Sequence, residues 1–135
     1  MRRKSREVAL QILFQTEFAP SISMADFISV FEDNEPYTKE VLAYSEILIS
    51  GVKQNKADID SLITKASQHW KLERMSAVDR NLLRIAVFEM KKMNPPVNPG
   101  IAINEALELA KLFSGTDSAG FLNGILDQIA KSGDN

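Results

Sequence analysis

The stretch from Ser76 to Met93 constrains the fold most, because its apolar residues cover far more than one stripe of a helix. Ser76 followed three residues later by Asp79 is typical of a capping box and predicts the start of a helix. Such a helix needs neighbours on several sides, so we expect it to be central and surrounded by other helices. Its apolar positions are Val78, Leu82, Leu83, Ile85, Ala86, Val87, Phe88, Met90 and Met93.

The rest of the chain repeats helical spacing and contains no segment with the period of a β-strand or a solenoid repeat. Prolines and glycines separate the periodic segments. We therefore expect an all-α protein of about seven helices. The predicted helices are 4–19, 24–33, 38–55, 58–68, 76–93, 98–113 and 117–131.

Length and composition predict one domain with an ordinary core. A chain of 135 residues with 44% hydrophobic and 25% charged residues can bury enough surface without disulfides or a structural metal. It has no run of 18 apolar residues and no signal-peptide pattern, so we expect a soluble, cytoplasmic protein that does not enter a membrane. The absence of cysteine excludes thiol chemistry, and a single histidine argues against a zinc site.

Four cations and no acid lie within the first six residues: Arg2, Arg3, Lys4 and Arg6. The net charge of −2 therefore describes a basic arm attached to an acidic body. We expect these cations to project from the start of the first helix, where positive charge opposes the helix dipole. A cluster in that place indicates phosphate binding. A solvated arm without a ligand is the alternative.

Single residues suggest further expectations. His69 beside Trp70 could indicate catalysis, but no nucleophile with a suitable partner accompanies them, so we expect Trp70 and Leu72 to fill the core. Gly51 lies inside a predicted helix, which indicates the close approach of another backbone.

The last predicted helix carries Gly120 and Gly124 four residues apart. Glycines at this spacing would leave room for a partner helix or chain. We expect Asp117 or Ser118 to cap this helix.

Three blocks in the C-terminal half resemble the NusB family of transcription antitermination factors. They are AVDRNLLRIAVFEM from Ala77, AINEALELAK from Ala102 and DSAGFLNGILD from Asp117. The N-terminal pattern RxxALQILFQ from Arg6 is similar to the opening helix of that family. The resemblance therefore spans nearly the whole chain.

The resemblance implies a NusB-like helical bundle: one domain, 1–135, of two packed helical subdomains, about 1–56 and 57–131. It implies no catalytic activity and no cofactor. It also implies binding of the boxA segment of ribosomal RNA leader transcripts together with NusE, a small-subunit ribosomal protein. Contact with the transcription elongation complex would be indirect.

The resemblance also assigns site residues. Those implied to bind RNA are Arg2, Arg3, Lys4, Arg6, Phe14 and Asp117. Those implied to bind NusE are Glu73, Asp79, Arg80 and Arg84. Three positions depart from the family pattern: Phe14 lacks the hydroxyl of a tyrosine, Ser67 replaces a second aromatic residue, and Gly120 replaces a basic one.

Three alternatives stay open from the sequence. The chain could be a protein-interaction bundle whose arm is incidental. It could be an accessory domain related to the NusB-like domain of ribosomal RNA methyltransferases, since it has no glycine-rich strand–turn–helix segment for a nucleotide cofactor. A homodimer that buries the RNA face is the third.

Overall fold

Six α-helices form the part of the chain that the computed structural model describes, which is residues 2–20, 26, 37–68 and 70–132. These residues contain no strand, and the all-α prediction is confirmed. The predicted helix 24–33 lies outside the described residues, apart from the helical Asp26. The helices are α1 (Arg2–Phe18), α2 (Lys39–Gln54), α3 (Lys56–Ala66), α4 (Ala77–Val87), α5 (Pro99–Phe113) and α6 (Thr116–Lys131).

Helix α4 is central, as its apolar circumference predicts. The Ser76 hydroxyl accepts a hydrogen bond from the Asp79 amide at 3.1 Å and starts the helix. Every residue from Asn81 to Met90 is buried, and the other five helices all contact α4. Helix burial of this kind comes from tertiary packing on all sides.

The predicted helix 76–93 changes geometry at Phe88. A single π-helical turn, Phe88–Lys92, continues α4 and closes with a hydrogen bond from the Met93 amide to the Phe88 carbonyl at 3.0 Å. π turns are rare and alter which way the residues within them point. This turn contains Glu89, whose side chain lies in the core.

The N-termini of the last two helices differ in how well the sequence predicts them. The Asn98 side chain caps α5 by accepting from the amides of Gly100 and Ile101, at 2.8 and 3.4 Å, in agreement with the predicted start. Capping of α6 by Asp117 or Ser118 is wrong. The helix begins one residue earlier, at Thr116, after a turn that Gly115 makes with a φ of +128°, a value that favours glycine.

Two large side chains lie at the surface, Trp70, which the sequence assigned to the core, and Phe113. Trp70 is 55% exposed, so its prediction as a core residue is wrong, whereas Leu72 packs half-buried against the core. Phe113 is exposed because α5 turns a different side inward. The buried residues of α5 are Ala102, Ala106, Leu109 and Ala110.

The glycines have different surroundings. A Cβ built on Gly51 would lie 2.1 Å from the Phe88 ring, so an aromatic side chain, rather than the expected backbone, makes the close approach. A Cβ at Gly120 or Gly124 would meet no atom of the described chain within 4 Å. The approach of a partner there stays a prediction. No helix among the described residues is long and apolar enough to span a membrane.

We expect Gly51→Ala to lower the free energy of unfolding by about 1–3 kcal/mol, because the new methyl group overlaps a buried ring. Gly124→Ala is the matched control, since it adds the same group to an open helix position and should stabilise by about 0.5–1 kcal/mol. Urea denaturation measures both changes. Stabilisation by both variants would contradict the packing described here.

Candidate functional site

Arg6 connects the first turns of α1 to the core through a buried ion pair. Its guanidinium forms a two-pronged pair with the carboxylate of Glu89, with Nε–Oε1 at 3.0 Å and Nη2–Oε2 at 2.8 Å. Arg6 is 4% and Glu89 1% exposed. The expectation that Arg6 projects from the helix is therefore wrong. Helix α1 begins at Arg2, and this register turns Ser5, Arg6 and Ala9 toward the core.

Tyr44 of α2 completes the surroundings of the buried carboxylate. Its hydroxyl donates to Glu89 Oε2 at 2.5 Å. Burial, and then the bond to Glu89, raises the pKa of Tyr44 to about 12. The outer side of the Tyr44 ring carries the Arg2 guanidinium, 4.3 Å from the ring centroid, a cation–π arrangement. Arg2 thus lies against a side chain that is itself held in place.

Arg3 and Lys4 are paired at the surface. Arg3 forms a two-pronged pair with Glu105 of α5, with Nε–Oε1 at 2.9 Å and Nη2–Oε2 at 2.8 Å. The hydrogen bond from Arg3 lowers the pKa of Glu105. Lys4 lies 2.7 Å from Glu7 and is half-exposed. Arg2, Arg3 and Lys4, which we call the cation array, are therefore exposed or half-exposed, whereas Arg6 is buried.

Two members of the cation array, Arg2 and Arg3, border an open cleft of about 820 Å³ between the start of α1 and the segment 93–101. Arg2, Arg3 and Arg6 line one side of it. The opposite side is formed by the residues that connect the π turn to α5.

Aromatic side chains that could stack on unpaired bases lie in two places. Phe14 follows Arg3 by about three helical turns, so both lie on the same side of α1, roughly 16 Å apart. Its half-buried ring contacts that of the exposed Phe18, with centroids 5.1 Å apart. Phe18 did not enter the predicted site, although its place one turn after Phe14 could have indicated it.

Asp117 lies near the opposite end of α4 from the cation array. It is exposed and borders a groove of about 240 Å³ together with Trp70 and Phe121. These two rings meet edge to face, with centroids 6.0 Å apart. The residues implied to bind RNA therefore do not form one cluster: the cation array lies near one end of α4, and Asp117 lies near the other with Trp70 beside it.

Asp79 holds the turn between α5 and α6. Its carboxylate is buried and accepts hydrogen bonds from the hydroxyls of Ser114, at 2.8 Å, and Ser118, at 3.1 Å. The acid that the sequence assigned to a partner surface therefore joins the start of α4 to the α5–α6 turn.

Arg80 and Arg84 connect helices in the same region. Arg80 pairs with Glu17 of α1, and Arg84 pairs with Asp60 of α3 at 2.8 Å and with Glu17 at 3.3 Å. Burial alone would raise the pKa of Glu17, but the hydrogen bonds from Arg80 and Asn81 lower it. Of the four residues implied to bind NusE, Glu73 alone is exposed.

The family model for NusB matches residues 3–131. The chain belongs to the NusB family. It is 53% identical to a transcription antitermination protein NusB of Bdellovibrio bacteriovorus over 131 residues, which cover 97% of this chain and 96% of the relative. A NusB of Myxococcus xanthus is 39% identical, over 96% of this chain and 94% of the relative.

Solved NusB structures have the same fold. T. maritima NusB superposes with a TM-score of 0.86 at 36% identity, over 98% of this chain and 92% of that one. A structure of the antitermination factors NusB and NusE in complex with dsRNA contains a chain that superposes with a TM-score of 0.83. That chain is 26% identical, and the match covers 96% of each. This chain therefore has the NusB fold that the resemblance implied.

We expect Arg6→Met to destabilise the NusB fold by about 3–5 kcal/mol, because it leaves the buried Glu89 carboxylate without its cation. Arg3→Met removes a solvent-exposed pair and should leave the free energy of unfolding almost unchanged. Urea denaturation at neutral pH compares them.

The double variant Arg6→Met/Glu89→Leu separates the lost charge pair from lost packing. It should recover most of the stability that Arg6→Met loses, because no unpaired charge then remains in the core. Equal, small losses for Arg6→Met and Arg3→Met would contradict the core role of Arg6.

Proposed function

We propose that this chain is a non-enzymatic transcription antitermination factor that binds single-stranded boxA-type RNA of ribosomal RNA leader transcripts together with NusE. Membership of the NusB family supports this proposal. The observation that carries it is the cation array: three neighbouring cations held on a fixed helix start and open to solvent. We also propose that the protein is cytoplasmic and that it contacts the elongation complex indirectly, through these partners.

Phosphate attraction by the cation array supplies the part of the affinity that does not depend on sequence. Three phosphate contacts on a single strand correspond to a log–log salt slope of roughly −2. The remaining body is acidic and repels RNA, so the array alone binds weakly. A basic partner protein would strengthen RNA binding by covering part of that acidic surface.

Base contacts would supply the sequence preference. Single-stranded RNA exposes flat bases that stack on aromatic side chains. The Phe14–Phe18 pair and the Trp70–Phe121 pair are two places in the described chain where partly exposed rings meet. In this proposal Asp117 borders the second place and accepts hydrogen bonds from amino groups of a base.

The partner surface lies around the turn Leu72–Arg74. There Glu73 meets the basic partner directly, whereas Asp79, Arg80 and Arg84 hold the surface in shape through their contacts with other helices. The relative solved as a NusB and NusE complex with dsRNA supports the choice of NusE as that partner. The division into halves at about residue 56 remains part of the proposal.

We expect the triple variant Arg2→Ala/Arg3→Ala/Lys4→Ala to weaken boxA binding and to flatten the salt slope by about 2, because three phosphate contacts are lost. Fluorescence anisotropy across a salt series, with NusE present, measures both effects. The matched control is Lys53→Ala/Lys56→Ala/Lys65→Ala, which removes the same charge from exposed positions on α2 and α3. Equal log–log salt slopes for the two triple variants would show that the cation array does not contact the RNA.

We expect Glu73→Lys to weaken NusE binding about three- to tenfold, because a charge at the rim of the surface changes from attractive to repulsive. Isothermal titration calorimetry gives the affinity. Glu46→Lys, the same change at an exposed site on α2, should have no effect. An unchanged affinity for Glu73→Lys would move the partner surface elsewhere.

The oligomeric state tests the alternative of a homodimer that buries the RNA face. The proposed function predicts a complex in solution whose mass corresponds to one copy of this chain together with NusE and boxA RNA. A dimer that persists with both ligands present would contradict an open RNA face.

A further inference from the structure

The cleft beside the cation array lies between α1 and the residues that connect the π turn to α5. Its volume of about 820 Å³ lies within the range of pockets that hold small ligands. The proposed phosphate contacts occupy only its rim, so the interior has no role in the function described above.

The two sides of the cleft differ in chemistry. One carries the guanidinium groups of α1 with the Glu105 carboxylate that pairs with Arg3, and the other carries Pro95, Pro96 and Ile101. Ile101 is 55% exposed, which is a large apolar surface for a residue at the first turn of a helix. A nucleotide has the same division between an anionic phosphate and a flat, apolar base.

The arginines of the cleft are not equally available to an anion. Arg6 is committed to Glu89, and Arg3 is paired with Glu105. Arg2 makes no ion pair within the described residues and rests on the Tyr44 ring at 4.3 Å. Among the three arginines of the cleft, Arg2 is therefore the one whose positive charge no carboxylate of the described chain already pairs.

Asn98 offers a specific hydrogen bond to a base. Its Oδ1 is used by the cap of α5, where it accepts from Gly100 and Ile101. An amide side chain also has two N–H donors, and these remain for a ligand. Because Asn98 borders the cleft, they can meet a carbonyl or ring nitrogen at the edge of a base.

We infer that this cleft is a one-nucleotide subsite for an unpaired base of the bound RNA, and the inference rests on the proposed function. The phosphate meets Arg2, the base lies against Pro96 and Ile101, and Asn98 donates to the edge of the base. The RNA chain would then pass from the outside of the cation array into the cleft. An acidic protein segment is the other class of ligand with matching charge, but continuity with the cation array favours RNA.

Two variants test the subsite. Ile101→Ala removes apolar surface from the cleft, and Asn98→Ser keeps a good helix cap while removing the amide donors. Leu112→Ala is the matched control: Leu112 is also an exposed apolar residue of α5, at 67%, and does not line the cleft. Each variant is titrated by fluorescence anisotropy, in the presence of NusE, with a boxA RNA. The RNA is either unmodified or carries one abasic nucleotide at each position in turn.

We expect Ile101→Ala and Asn98→Ser each to bind the unmodified RNA about three- to tenfold more weakly, a loss typical of one base contact. Leu112→Ala should match the wild type. At one position of the RNA, removal of the base should weaken wild-type binding but cause no additional loss in Ile101→Ala. Such coupling shows that the missing base and the missing side chain contact each other.

Two outcomes would overturn the subsite. One is RNA affinity in Ile101→Ala and Asn98→Ser equal to that of Leu112→Ala, which is also what a cleft for an acidic protein segment would give. The other is that the loss of RNA affinity caused by Ile101→Ala adds to the loss caused by an abasic nucleotide at every position of the RNA. Either result with tight wild-type binding leaves the proposed function intact, whereas loss of boxA preference in the wild type refutes both.

Discussion

The buried pair of Arg6 and Glu89 is the interaction on which the N-terminal surface depends. Moving two charges out of water is costly, and such a pair is tolerated only where geometry and further hydrogen bonds compensate. Here the guanidinium forms a bidentate pair with the carboxylate, and the Tyr44 hydroxyl donates a hydrogen bond to the same carboxylate. Glu89 reaches this place from the π turn after α4, so one ion pair joins α1, α2 and the central helix.

This pair explains how a basic N-terminus becomes an ordered surface. A flexible arm would lose the freedom of each side chain on meeting RNA, which reduces affinity. In this chain the arm is the first turn of a helix, and Arg2 already rests on the ring of Tyr44. The cation array is therefore arranged before a ligand arrives. The same arrangement places the cleft directly beside Arg2 and Arg3.

Local patterns in the sequence predicted much of the fold and part of the site. The central helix, the cap at Ser76, the start of α5 near Asn98 and the exposed cations of the first turn all depend on neighbours within a few residues. The cap predicted at Asp117 or Ser118 is a local failure, whereas the failures at Arg6 and Trp70 concern side chains whose surroundings come from distant segments. Arg6 and Trp70 were assigned to the wrong environment, because charge and size alone do not tell which side of an element meets the core.

The sequence by itself determined that the chain is helical, which segment is central and that its first residues are basic, because spacing, capping and charge are properties of neighbouring residues. The tertiary structure alone decided that one of the four N-terminal cations is a core residue and that Asp79, Arg80 and Arg84 connect helices. It also decided that a cleft opens beside Arg2 and Arg3. Burial and pairing depend on which distant surfaces meet, and a linear pattern does not contain that information.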